Sequence, residues 1–127
     1  MSDHSNAQIL IVDDSSTMRR IMRLTLGKCG YNNTDEAENG LLGLEKAKTK
    51  QFDCVISDWN MPEMTGVEMV AELRKLPNYA STPILMVTTE GGKEAVVEAL
   101  QAGVSSFIVK PFTADVLRQK MDTLWGD

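Results

Sequence analysis

Four apolar runs of this sequence each lead into a polar side chain that could take part in chemistry. Asp13 and Asp14 follow the first run, Asp58 the second, Thr88 the third and Lys110 the fourth. Because the carboxyl ends of parallel strands meet at one edge of an open sheet, we expect these side chains to converge. Three carboxylates, a hydroxyl and an ammonium group indicate a site that handles a charged group such as a phosphoryl group.

The acidic members of this set point to a metal ion and a nucleophile. Clustered carboxylates repel one another unless a divalent cation neutralises them, and oxygen ligands without histidine or thiolate favour Mg²⁺ or Mn²⁺ over zinc. We interpret Asp13 and Asp14 as paired metal ligands. Asp58 stands alone on a middle strand, so we interpret it as the carboxylate that accepts a phosphoryl group. Lys110 and the hydroxyl of Thr88 would bind the phosphoryl oxygens.

The spacing of apolar residues predicts the elements that position these side chains. Runs with little alternation are typical of strands buried on both faces of a parallel sheet, and a more polar segment predicts an edge strand. The strands are expected at residues 9–12, 54–56, 84–87 and 107–109, with the edge strand at 34–38. Amphipathic helices are expected between them, with Pro77 ending the third. Their N-caps are expected at Ser15 or Ser16, Asn39, Thr65 and Thr113.

Strict alternation of strands and helices predicts a single α/β domain over residues 1–127, with helices on both faces of the sheet. The first seven residues are expected to form a polar tail, in which the only histidine, His4, lies. Hardly any chain is left outside the predicted elements, so we expect no separate output domain.

Composition excludes several classes of function. The net charge of −5 has the wrong sign for a domain that binds nucleic acid or anionic lipid through a basic face. The apolar runs are far shorter than the ~20 residues of a membrane helix, and the N-terminus lacks the pattern of a signal peptide. Cys29 and Cys54 have no CxxC spacing, which is typical of reduced thiols in a cytoplasmic protein.

The polar residues at the strand ends resemble those of the receiver domains of two-component response regulators. Three segments carry the likeness: residues 12–20, VDDSSTMRR; residues 58–66, DWNMPEMTG; and residues 110–113, KPFT. Within that family they are most similar to the stand-alone regulators of chemotaxis, and the likeness spans essentially the whole chain. It implies a flavodoxin-like (βα)5 three-layer sandwich whose parallel five-stranded sheet has the order 2-1-3-4-5.

The resemblance also implies a role for each site residue. Asp58 would accept a phosphoryl group from a phosphohistidine of a sensor histidine kinase. Mg²⁺ would be bound by Asp13, Asp58 and the main-chain carbonyl of Asn60, with Asp14 binding directly or through water. Lys110 would pair with the phosphoryl group, and its peptide bond to the following proline would be cis. Thr88 would be one half of a switch pair.

Phe107 occupies the other switch position and departs from the pattern, because regulators that bind the flagellar motor usually have tyrosine there. A phenyl ring can fill the inward pocket but has no hydroxyl with which to contact a partner. The partners implied are a sensor kinase of chemotaxis, a flagellar motor switch protein or another downstream protein, and a phosphatase. We expect a monomer that binds neither nucleic acid nor membrane, and whose chemistry is limited to its own phosphorylation and dephosphorylation.

Three alternatives remain open at this point. The chain could be a phosphate sink that drains a chemotaxis kinase. It could be an aspartyl-phosphate phosphohydrolase, a class that needs a second aspartate two residues after the nucleophile, where this chain has Asn60. It could also be a flavodoxin-like electron carrier, although Asp13 and Asp14 would repel the phosphate of a flavin.

Overall fold

A parallel sheet lies at the centre of the structure, a computed structural model that describes residues 4–89 and 92–125. Within these residues the sheet has five strands in the order β2-β1-β3-β4-β5, which confirms the order that the resemblance implied. The strands are β1 (Ile9–Val12), β2 (Thr34–Ala37), β3 (Cys54–Asp58), β4 (Ile84–Thr88) and β5 (Ser106–Val109). All five predicted strands are therefore confirmed: the bounds of β1 are as predicted, and each of the other four strands differs at one end by one or two residues.

Five helices connect or follow these strands in the described part of the chain. They are α1 (Ser16–Lys28), α2 (Gly40–Thr49), α3 (Gly66–Leu73), α4 (Lys93–Ala102) and α5 (Ala114–Trp125). Side-chain oxygens of Ser15, Asn39, Thr65 and Thr113 each accept a main-chain N–H in the first turn of a helix, so the predicted N-caps are confirmed.

The predicted end of the third helix at Pro77 is wrong. Helix α3 ends at Leu73, and Pro77 instead begins a short 3₁₀ helix, where its fixed φ is accommodated in the first turn.

The strands lack alternation because both faces of the sheet are covered. Successive residues of β1, β3 and β4 point into two different apolar clusters, one on each face. One cluster packs α2, α3 and α4 against the sheet and contains Leu10, Val12, Val55, Ile84 and Met86. The other packs α1 and α5 against the opposite face and contains Ile9, Ile11, Ile56, Leu85 and Val87. Because both faces of the sheet pack tightly against helices, the strands have little freedom to move. The carboxyl edge of the sheet is therefore a rigid platform.

The N-terminal segment differs from the polar tail expected over residues 1–7. Residues 1–3 lie outside the described part, but Ala7 is buried in the cluster beneath α1 and α5. The ring of His4 stacks on Trp125 with 4.4 Å between centroids. This stacking buries ring surface on both sides, so residues 4–7 pack onto α5 instead of extending from it.

In the part of the chain that the structure describes, no helix combines the length and the hydrophobicity that crossing a bilayer requires.

Candidate functional site

The carboxyl ends of β1 and β3 bring three acidic side chains together, as the sequence predicted. Asp13 directly follows β1, and Asp58 is the last residue of β3; the two strands are neighbours, with Val12 opposite Ser57. One oxygen each from Asp13, Asp14 and Asp58 lies within 4.8 Å of the other two. Asp13 is buried, Asp58 is partly buried and Asp14 is exposed, so the cluster opens to solvent on one side.

Lys110 approaches the same cluster from the end of β5. Its Nζ lies 3.5 Å from Asp58 Oδ1 and 3.7 Å from Asp13 Oδ2, and its side chain is only 17% exposed. The main-chain N–H of Lys110 donates to the carbonyl of Thr88 at 2.8 Å, which continues the pairing of β4 with β5 beyond the strand end. The peptide bond between Lys110 and Pro111 is cis, which confirms what the resemblance implied.

Main-chain donors hold two of the three carboxylates in place. The N–H of Ser15 donates to Asp13 Oδ1 at 2.9 Å, and the N–H of Trp59 donates to Asp58 Oδ1 at 2.8 Å. Both bonds are made within one or two residues of the acid, where the chain turns away from the strand. The carboxylates are thereby oriented before any ligand arrives, which lowers the cost of organising the site on binding.

Burial and crowding oppose the charge on Asp13. Burial is the largest cause that raises the pKa of Asp13 above its ordinary value, and the nearby carboxylates of Asp58 and Asp14 raise it further. The Ser15 N–H and the ammonium group of Lys110 lower it, but they do not cancel the rise. Three oxygen donors of like charge with no histidine or thiolate among them form a donor set that suits a hard divalent cation.

Thr88 and Phe107 stand on the same face of the sheet. Thr88 is the last residue of β4 and is 1% exposed. Phe107 lies opposite Met86 on β5, and residues two apart along a strand point to the same side. The ring of Phe107 is partly buried against the cluster beneath α2, α3 and α4. The two residues that the resemblance pairs as a switch therefore share one side of β4 and β5.

The loop after β3 brings main-chain groups close to Asp58. Ser57 Oγ donates to the Asp58 carbonyl at 2.8 Å, and the Gly66 N–H donates to the Trp59 carbonyl at 2.8 Å. A Cβ at Gly66 would lie 2.2 Å from the Asp58 carbonyl oxygen, so only glycine fits there. Asn60 is exposed in this loop, two residues after Asp58, and metal binding by its carbonyl stays a prediction.

Two residues of the site were assigned no role by the sequence reasoning. Gly66 stood in a quoted motif, but nothing local in the sequence marks the close approach of the Asp58 carbonyl. Arg19 also stood in a motif, and its Nη1 donates to the Asp13 carbonyl at 2.6 Å. Its position one turn into α1 was the only available signal, because residues near a helix start can reach back to the loop that precedes it.

Comparison with known proteins gives one consistent result. The family model described as "Response regulator receiver domain" matches residues 9–122. The chemotaxis protein CheY-3 of Vibrio cholerae is 47% identical over 122 residues, covering 96% of this chain and 94% of that protein. CheY1 of Helicobacter pylori is 49% identical over 123 residues, with 94% and 97% covered. The solved structure of the chemotaxis response regulator CheY4 of Vibrio cholerae superposes with a TM-score of 0.88 at 39% identity, covering 94% of this chain and 98% of that one.

Replacing Gly66 with alanine is expected to destabilise the chain and displace the backbone of Asp58. The added methyl group would force the Asp58 carbonyl to move, at a cost of about 1–3 kcal/mol in the free energy of unfolding. Urea denaturation measures this loss. Gly27→Ala is the control, because a Cβ there meets only Asn32 Oδ1 at an ordinary 3.6 Å. It should leave stability unchanged or raise it by up to about 1 kcal/mol. A Gly66→Ala chain as stable as the wild type would contradict the prediction.

Replacing Asp13 with asparagine is expected to stabilise the chain at neutral pH without metal. Because its folded pKa is raised, ionisation of Asp13 penalises the folded state as pH rises through the ordinary value of 3.8, and the penalty is complete above the folded pKa. Asparagine removes this penalty and still offers Oδ1 to the Ser15 N–H.

Thermal unfolding in a chelator measures this effect across the acidic and neutral range. The melting temperature of Asp13→Asn should exceed that of the wild type at neutral pH and approach it in acid. Asp122→Asn, on the exposed side of α5, controls for the loss of one negative charge. An Asp13→Asn gain no larger than that of the control would show that burial and repulsion together place no net penalty on the charge of Asp13.

Proposed function

The chain belongs to the response regulator receiver family, and we propose that within it Asp58 is the phosphoacceptor of a chemotaxis signalling switch. The chain is homologous to the CheY chemotaxis response regulators, and this homology supports a phosphorylation-activated switch. The observation that carries the assignment of Asp58 is its position at the middle of the sheet edge. One oxygen of its carboxylate lies within 4.8 Å of an oxygen of each acid that follows β1, and its Oδ1 lies 3.5 Å from the Lys110 Nζ.

The proposed reaction is phosphoryl transfer from a phosphohistidine of a sensor kinase. An oxygen of Asp58 attacks phosphorus, the P–O bond forms as the P–N bond breaks, and the histidine leaves with the bonding pair and takes up a proton from solvent. Lys110 then pairs with an oxygen of the transferred group, which remains within its reach because both residues are held by strand ends. Hydrolysis of the same acyl phosphate returns the carboxylate, so the chain's own chemistry is limited to gaining and losing this group.

A magnesium ion fits the acidic cluster, and we assign it as the cofactor. Asp13, Asp14 and Asp58 would hold it with the main-chain carbonyl of Asn60, because all four supply the oxygen ligands that Mg²⁺ prefers. When bound, Mg²⁺ would neutralise part of the negative charge that three carboxylates and a phosphoryl group bring to one place. The raised pKa of Asp13 is consistent with this assignment, because burial, followed by the nearby carboxylates, disfavours its charge, and a bound cation would offset that cost.

The switch would consist of Thr88 and Phe107. We assign the Thr88 hydroxyl to the phosphoryl oxygens and the Phe107 ring to the space that opens behind it, since both side chains lie on the same side of β4 and β5. Phosphorylation then shifts the population between two packings of the face formed by α4, β5 and α5. That face already exposes apolar side chains, which are Val97, Leu100, Val109 and Val116.

The proposed partners follow from this chemistry. A sensor histidine kinase of chemotaxis supplies the phosphoryl group, a flagellar motor switch protein or another downstream protein reads the switched face, and a phosphatase resets it. We place the protein in the cytoplasm as a monomer whose output would be binding to another protein. A role as a phosphate sink is the nearest alternative, and Phe107 favours it to the extent that a missing hydroxyl weakens a contact with the motor.

Labelling with a small phosphodonor tests the assignment of Asp58. Wild-type protein treated with acetyl phosphate and Mg²⁺ should gain the mass of one phosphoryl group, and Asp58→Asn should gain none, because an amide is not a nucleophile of this kind. Intact-protein mass spectrometry measures both. Asp53→Asn, an exposed acid that precedes β3, is the matched control and should label like the wild type. Full labelling of Asp58→Asn would overturn the assignment, as would an unlabelled wild type.

Binding to a motor-switch peptide separates an effector from a sink and tests Thr88. If the chain is an effector, phosphorylation should raise its affinity by about tenfold, a typical coupling between two sites. Thr88→Val keeps the side-chain shape but loses the hydroxyl, so it should still label at Asp58 and lose the affinity gain. Thr89→Val changes an exposed neighbour and should keep the gain.

Fluorescence anisotropy of the peptide, with and without phosphodonor, measures these affinities. No gain in the wild type would reject the flagellar motor switch protein as the partner. A full gain in labelled Thr88→Val would remove Thr88 from the switch.

A further inference from the structure

Arg19, on the first turns of α1, ties the acidic loop to the edge of the sheet. Its Nη1 donates to the main-chain carbonyl of Asp13 at 2.6 Å, and its Nε donates to Glu36 Oε1 on β2 at 3.1 Å. The side chain is only 16% exposed. One planar guanidinium group thus fixes two acceptors in a set geometry, which a single ammonium group would not do.

The carbonyl that Arg19 holds belongs to the buried acid of the cluster. The N–H of Asp13 already donates to the carbonyl of Ala37 at 3.1 Å, so β2 holds this residue on one side directly and on the other through Glu36 and Arg19. With both of its peptide groups held, the backbone of Asp13 has little freedom to carry its carboxylate away from Asp58 and Lys110. Repulsion within the cluster favours such a movement, so a restraint on the backbone is needed to keep the oxygens together.

Arg23 provides an internal comparison one turn further along α1. It also forms an ion pair with Glu36, through the other carboxylate oxygen, but its side chain is 45% exposed. The contact made by Arg19 to Asp13 is therefore separable from its contact to Glu36. If these arginines only pinned the edge strand, they would act alike.

We propose that Arg19 is a positioning residue of the phosphorylation site, which sets the place of the Asp13 carboxylate by holding its main-chain carbonyl. This inference rests on the proposed function, in which Asp13 binds Mg²⁺. It predicts that loss of Arg19 weakens Mg²⁺ binding, whereas the chemistry of Asp58 is preserved once the metal site is saturated. Replacement of residues that orient metal ligands in this way commonly weakens metal affinity by tenfold or more.

Calorimetric titration with MgCl2 tests the proposal in the full chain. Arg19→Met keeps the aliphatic stem and removes every donor, and it should raise the Kd for Mg²⁺ by about tenfold. Arg23→Met also loses an ion pair with Glu36 but no contact with Asp13, so it should bind Mg²⁺ like the wild type. Labelling with acetyl phosphate should need more Mg²⁺ for half its maximal rate in Arg19→Met, with the rate at saturation restored. A structural role alone would lower the melting temperature without this separation.

Three results would overturn the proposal: wild-type Mg²⁺ affinity in folded Arg19→Met, an equal loss in Arg23→Met, or a labelling rate that saturating Mg²⁺ does not restore. If Arg19→Met fails to fold, Arg19→Gln decides by the same criteria, because its short side chain keeps a polar end but cannot span both acceptors. Failure of the proposed function is a different result. An unlabelled wild type would reject the role of Asp58, and the metal titration would still judge Arg19.

Discussion

Repulsion among three carboxylates at one edge of the sheet is the constraint on which the rest of the structure depends. Asp13, Asp14 and Asp58 each place an oxygen within 4.8 Å of the other two, and burial adds to the cost of charge on Asp13. On a mobile surface, such acids would separate. Here they cannot, because Asp13 and Asp58 continue two paired strands whose side chains are buried on both faces. The free energy of packing thus maintains an arrangement that electrostatics disfavours.

The surrounding backbone makes this arrangement specific. Ser15 and Trp59 donate main-chain N–H groups to the acids, the cis peptide bond follows Lys110, and Gly66 lets the Asp58 carbonyl approach closely. The two N–H groups hold the carboxylates of Asp13 and Asp58 without neutralising them. The site therefore favours a bound cation, and a bound cation in turn favours a phosphoryl group. A phosphoacceptor that works with Mg²⁺ needs this property.

The same sheet connects this edge to the face where output is proposed. Asp58 lies opposite Val87, the residue before Thr88, and Thr88 shares its side of the sheet with Phe107. In the proposed switch, a change at Asp58 would therefore reach the face of α4, β5 and α5 through adjacent strands. Phenylalanine at position 107 leaves the packing part of such a switch in place and removes the polar part. Under that proposal, the partner would recognise shape and apolar surface more than a single hydroxyl.

The sequence by itself determined the five strands and four helix N-caps, because each depends on residues close together in the chain. The convergence of Asp13, Asp14, Asp58 and Lys110 then followed from the parallel sheet that these strands predict. Buried strands appear as apolar runs, caps lie next to the turns they close, and strand ends of a parallel sheet must meet. The end of α3 was predicted wrongly, since the helix ends at Leu73 and Pro77 begins a separate 3₁₀ helix.

Only the tertiary structure decided the contacts between distant segments. It placed Arg19 against both Asp13 and Glu36, and His4 on Trp125. It also placed the Asp58 carbonyl against Gly66, where a side chain would not fit. It also showed that Asp58 and Thr88 end strands instead of beginning loops, because pairing with the neighbouring strand extends that far. Such contacts depend on the path of the backbone through space, which residue type and spacing along the chain do not encode locally.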